Sequence, residues 1–108
     1  MASTYQVLGQ SNPAATTNTD VYTVPSSTSA VVSTITVCNQ GVSGTFNIAI
    51  RTAGAAITAK QYIAYGATLN ANDALTLTLG LSLATTDVVT VYASTANFSF
   101  NVFGVQLT

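Results

Sequence analysis

Histidine is absent from this chain of 108 residues, and that absence excludes any Ser-His-Asp or Cys-His arrangement and the commonest general base. Charge is scarce as well. Asp20, Arg51, Lys60, Asp73 and Asp87 are the whole set, 5% of the chain, where soluble proteins average about 25%. Two basic residues cannot build the patch that counterion-release binding to nucleic acid requires, nor the one that holds a protein to an anionic membrane. Neither nucleic acid nor membrane is expected as a partner. The single cysteine, Cys38, excludes an intramolecular disulfide. A reactive thiol would want a neighbouring His or cation, so Cys38 is expected to be a small buried hydrophobe. No apolar run approaches the roughly 18 residues of a membrane-spanning helix, because Thr, Ser, Asn or Gly interrupts each one. Met1-Ala-Ser-Thr-Tyr-Gln has neither the basic nor the apolar region of a signal peptide, and none is expected.

The length fits one domain, large enough to bury roughly two-thirds of its unfolded surface. With so little charge, solubility has to come from Ser, Thr, Asn and Gln. The electrostatic barrier to self-association is weak, and such a composition suits a subunit covered by neighbours better than a free monomer.

The remaining pattern is alternation. In Asp73 to Gly80, Leu75, Leu77 and Leu79 alternate with Thr76 and Thr78, which puts three leucines on a core face. After Thr85-Thr86, Val89 and Val91 share one face while Val88, Thr90 and Tyr92 share the other. The two segments are close in sequence and read as an antiparallel pair. Residues 4–9 give a short strand, and Asp20 to Val24 a second one that Pro25 stops. In residues 31–38, Ile35 and Val37 oppose Val32, Thr34, Thr36 and Cys38. Residues 45–52 place Phe46, Ile48 and Ile50 on the core face. In residues 60–68, Tyr62 and Ala64 oppose Ile63 and Tyr65, and the core face is ambiguous. Residues 97–107 set Phe98, Phe100 and Val102 against Ser99, Asn101 and Phe103, with Gly104 marking a bulge. Residues 53–59 have room for one helical turn only. About eight strands with turns at such spacing predict an all-β fold, an antiparallel β-sandwich of immunoglobulin-like or jelly-roll-like type. Residues 1–18, polar and broken by Pro13, are expected as an N-terminal strand or extended arm lying on a neighbouring subunit, and 19–108 as the sandwich.

Catalytic, cofactor and metal residues do not emerge. Lys60 would be the base of a serine–lysine dyad, but a solvated cation at a strand start is the ordinary reading. Asp20, Asp73 and Asp87 lie at strand starts or turns, where Asp serves the backbone, although a hydrolytic pair would need two carboxylates at a set separation. Asn70, Asn72 and Asp73 offer one corner of a calcium site yet read as a turn. Gly41 and Gly44 lack the residues of a phosphate loop, and Asn97-Phe98-Ser99 is a glycosylation triplet without a secretory context. Tyr5, Tyr22, Tyr62, Tyr65 and Tyr92 could include a stacking platform for sugar, against the commoner roles of core or interface residues.

Several segments together resemble small virion-associated proteins of tailed bacteriophages, notably those of marine bacteria and cyanobacteria. They are Val-Tyr-Thr-Val-Pro (21–25), Thr-Val-Cys-Asn (36–39), Phe-Asn-Ile-Ala-Ile-Arg (46–51), Lys-Gln-Tyr-Ile-Ala-Tyr (60–65), Leu-Thr-Leu-Gly-Leu (77–81) and Thr-Asp-Val-Val-Thr-Val-Tyr-Ala (86–93). The resemblance implies a non-enzymatic structural role in the virion and supplies no functional residues. The expectation is a capsid decoration or cement subunit, a homo-oligomer such as a trimer, with other virion proteins as partners, the major capsid protein or tail proteins. The alternative is a tail or fibre component that binds a receptor or glycan.

Overall fold

The computed structural model describes residues 2–108. Among them run eight strands: β1 (Ser3–Ser11), β2 (Thr19–Thr23), β3 (Ser29–Asn39), β4 (Gly44–Arg51), β5 (Tyr62–Leu69), β6 (Ala74–Leu83), β7 (Val88–Ala93) and β8 (Phe98–Leu107). They form two four-stranded sheets, ordered β1-β8-β3-β6 and β2-β7-β4-β5. Strand 1 pairs with 8, 2 with 7, 3 with 6 and 4 with 5, all antiparallel. This is one long hairpin folded over on itself, closed where β3 meets β8 and β4 meets β7. Such an order is that of the jelly roll, a double-sheet architecture of two Greek keys. It decides between the two sandwich types that alternation left open.

The inner faces are built as the alternation dictates. Phe46, Phe98 and Phe100 are fully buried at the centre, with ring centroids 6.2 Å apart for Phe46–Phe98 and 6.1 Å for Phe46–Phe100. Such tilted and edge-on contacts add about 0.5–1.5 kcal/mol each beyond burial. Val32, Ile35, Val37, Ile48, Val89, Val91 and Val102 belong to the same core. Tyr22 is also buried, and its hydroxyl accepts a 2.8 Å hydrogen bond from Gln106 Nε2, which ties β2 to β8.

Several expectations need correction. β6 and β7 do not pair: β6 lies beside β3, and β7 between β2 and β4 in the other sheet. A short connection can cross from one sheet to the other as readily as it can make a hairpin, and only β4 and β5 are consecutive partners here. Because β6 is an edge strand, Leu77 and Leu79 pack only at the rim of the core and Leu75 is 36% exposed. Val32 faces inward together with Ile35, since a register shift at Ser33 adds a residue and inverts the alternation. That bulge is in β3, opposite Gly104, and not in β8. Cys38, next to inward Val37, is only half-buried. Residues 53–59 carry no single helical turn of their own but run between two 3₁₀ turns that take in their ends, Thr52–Gly54 and Ala59–Gln61. Residues 3–11, the strand within the 1–18 segment, pair with β8 as an edge of the β1-β8-β3-β6 sheet.

Candidate functional site

Two surfaces of the sandwich stand apart, one on the outside of each sheet. On the β1-β8-β3-β6 sheet, side chains facing outward come from cross-strand rows that the register fixes. Tyr5 is opposite Val105, which is opposite Val31, and in the next row Val7 is opposite Phe103. Directly opposed residues share a face, so these five form one apolar patch. Tyr5 is 82% exposed, and Val7 and Val31 are also open to solvent. A trough of about 500 Å³ runs beside them, bounded by Ser33 and Phe103. Farther along the sheet the face turns polar, with Gln10 Nε2 donating to Asn101 Oδ1 at 2.7 Å. None of the four strands of this sheet contains Asp, Glu, Lys or Arg.

The outer face of the β2-β7-β4-β5 sheet is different. Asp20 on β2 accepts from Thr90 Oγ1 at 2.9 Å and lies 3.6 Å from Arg51 Nη2. This ion pair is partly exposed and worth at most about 1 kcal/mol. Arg51 Nε is buried without a partner. Beyond these charges a depression of about 380 Å³ is lined by Asn18, Thr45, Asn47, Tyr62, Tyr65 and Tyr92. Its form comes from β5. Between the pairs Phe46–Ala67 and Ile48–Ala64 that strand has two residues, Tyr65 and Gly66, where β4 has only Asn47. Gly66 takes φ +63°, a left-handed conformation that suits glycine. Its N–H donates to Asn47 Oδ1 at 2.7 Å. A second shift follows between Ile48 and Ala49. The two irregularities let Ala64 and Ala67 both reach the core while Tyr62 and Tyr65 come together, ring centroids 4.7 Å apart and edge-on.

No protein-family model, curated protein or solved structure matches the chain.

The residues weighed for chemistry are dispersed. Asp73 Oδ1 accepts from the N–H of Ala74 at 2.8 Å. Asp87 is buried and accepts from the N–H groups of Ala53 and Ala84, both at 2.9 Å. These two carboxylates serve turns, and Asp20 is engaged with Arg51 and Thr90. Lys60 is exposed in the 3₁₀ turn before β5. Asn70, Asn72 and Asp73 sit on the exposed turn before β6, and among the described residues no group of three His, Cys, Asp or Glu is placed to hold a metal ion. Asn97 is exposed and Phe98 buried. Of the tyrosines, Tyr62, Tyr65 and Tyr92 are brought together, Tyr22 is in the core, and Tyr5 stands on the opposite sheet. Sequence reasoning named the three but could not group them, because shifts in β5 decide where Tyr62 and Tyr65 point, and Tyr92 comes from β7 across β4.

Proposed function

We propose that this protein is a non-enzymatic structural subunit of a phage virion, a decoration or cement subunit docked on the head. The observation that carries the reading is the uncharged sheet with its apolar patch at Tyr5, Val7, Val31, Phe103 and Val105. Exposed apolar patches of this kind mark docking surfaces, and docking an uncharged face strips water from no ion. The partners are other virion proteins, the major capsid protein first and a tail protein second, together with copies of the chain itself. Jelly rolls build viral shells as well as lectins, an analogy of fold that leaves function to the surfaces. The resemblance to virion-associated phage proteins supports the same reading.

Electron microscopy of phage particles with gold-labelled antibody against the protein tests it. Label spread over the head is expected. Label confined to the tail would replace decoration with a tail role, and unlabelled particles would overturn an exposed virion role altogether.

A further inference from the structure

We propose that the depression between Tyr62, Tyr65 and Tyr92 is a binding subsite for a neutral saccharide, a hexose or N-acetylhexosamine unit of a surface glycan. The proposal goes beyond the docking role and is independent of it, since the depression lies on the opposite sheet from the apolar patch.

Three features of the depression match sugar chemistry. A pyranose has a C–H face that packs on an aromatic ring and a rim of hydroxyls that both donate and accept. Tyr65 supplies an open ring, 72% exposed, and the edge-on contact with Tyr62 at 4.7 Å braces it. A ring held in place before binding loses little freedom when ligand arrives. The second feature is a set of free polar groups. Asn47 Oδ1 is occupied by the Gly66 N–H, which orients the carboxamide and leaves Nδ2 to donate outward. The Asn18 carboxamide and the hydroxyls of Tyr62, Tyr65 and Tyr92 make no hydrogen bond to the described residues. A few oriented polar groups beside aromatic surface are what a small-molecule site needs, and about 380 Å³ is within the usual range of such sites.

The third feature is the absence of charge from the lining. It selects neutral sugars over sialic or uronic acids, for which a cation would be expected. The geometry depends on the second irregularity: without the extra residue at Ile63, between the pairs Ile48–Ala64 and Ala49–Tyr62, strict alternation would send Tyr62 to the face opposite Tyr65. Bulges re-aim side chains in this way beside functional sites.

The test is binding of labelled protein to an array of neutral hexose and N-acetylhexosamine oligosaccharides, followed by saturation-transfer NMR on the glycan retained. Saturable binding is expected, weakened at least about tenfold by Tyr65→Ala and by Asn18→Ala. Tyr5→Ala, on the opposite sheet, should leave it unchanged. Both tyrosines are exposed, and thermal unfolding of each variant verifies that the fold is kept. Failure of every neutral glycan to bind at millimolar concentration would overturn the proposal, as would binding indifferent to Tyr65→Ala. Preference for acidic glycans would overturn the ligand class. Loss of particle association in Tyr65→Ala with no glycan bound would assign the depression to a protein partner instead. The antibody labelling of particles stands apart from all four outcomes.

Discussion

Replacing Asn39 should cost this small domain a large part of its stability. The side chain is 1% exposed at the end of β3. Its Nδ2 donates to the carbonyls of Val42 at 2.8 Å, Leu69 at 3.1 Å and Asn70 at 3.1 Å, and its Oδ1 accepts from the Gly41 N–H at 3.0 Å. The backbone N–H of the same residue reaches Asp73 O at 2.8 Å. One carboxamide thus joins the β3–β4 connection to the turn between β5 and β6. Nδ2 has two hydrogens, so its three contacts amount to two full bonds, and the accepted bond makes a third. At about 1 kcal/mol net each, Asn39→Ala loses about 3 kcal/mol, out of the roughly 5–15 kcal/mol that holds a domain folded. The midpoint of thermal unfolding should fall by about 12–24 °C, at about 4–8 °C per kcal/mol for a domain near this size. Asn39→Asp has the same shape and should be worse, because it sets an acceptor oxygen before three carbonyl oxygens. Urea unfolding followed by circular dichroism and tyrosine fluorescence measures both, with an unchanged m-value showing that only stability moved. A loss below about 1 kcal/mol for the alanine variant would refute the reasoning, since these loops would then satisfy themselves through water. Equal tolerance of alanine and aspartate would refute it too.

Three further outcomes follow from the same geometry. Gly104→Ala should fail to fold or fold only weakly, since the added Cβ would overlap the Val31 carbonyl oxygen and press on Leu8 Cδ1 at 3.1 Å; soluble yield and thermal unfolding check this. Asp87→Ala should lose about 3 kcal/mol or more by stranding the N–H groups of Ala53 and Ala84, and Asp87→Asn, which keeps one acceptor, about half as much, both read by denaturant titration. Tyr5→Asp should leave stability within about 0.5 kcal/mol, as at other open surface positions, yet weaken docking and self-association, measured by co-sedimentation with particles and by sedimentation velocity.

The strands were legible because core and solvent impose a period of two. The runs at β4, β7 and β8 place Phe46, Ile48, Val89, Val91, Phe98, Phe100 and Val102 inward in the order their alternation states. The period failed where the backbone gained a residue. Val32 changed sides at the Ser33 bulge, and the two shifts in β5 made its core face unreadable from spacing. Strand order was illegible for another reason. Proximity in sequence favours hairpins, whereas the jelly roll sends six of its seven connections from one sheet to the other. Neither surface could have been assembled beforehand, because Tyr5 and Phe103 meet only through pairing of the chain's two ends. Tyr92 likewise joins Tyr62 only through β4, which lies between their strands.

The placement of charge also bears on the proposed docking. Asp20 and Arg51 lie in the β2-β7-β4-β5 sheet, Lys60 in the turn before β5, and Asp73 and Asp87 in the turns flanking β6. The opposite sheet, including both its edge strands β1 and β6, has no charge with which to deter pairing by another chain. Edge strands are often protected by lysine or proline, and neither occurs in β1 or β6. Each instead carries a register shift, at Leu8 in β1 and between Thr78 and Leu81 in β6. Such bulges twist an edge out of line and interrupt the row of free N–H and C=O groups that an added strand would need. The broad outer face has no corresponding obstacle. Tyr5, Val7, Val31 and Val105 project from it without a charge among them, so an identical or complementary surface meets neither repulsion nor the cost of stripping water from an ion. The proposed docking through this sheet would therefore run face to face rather than by strand addition, and would leave the tyrosine depression on the far side open.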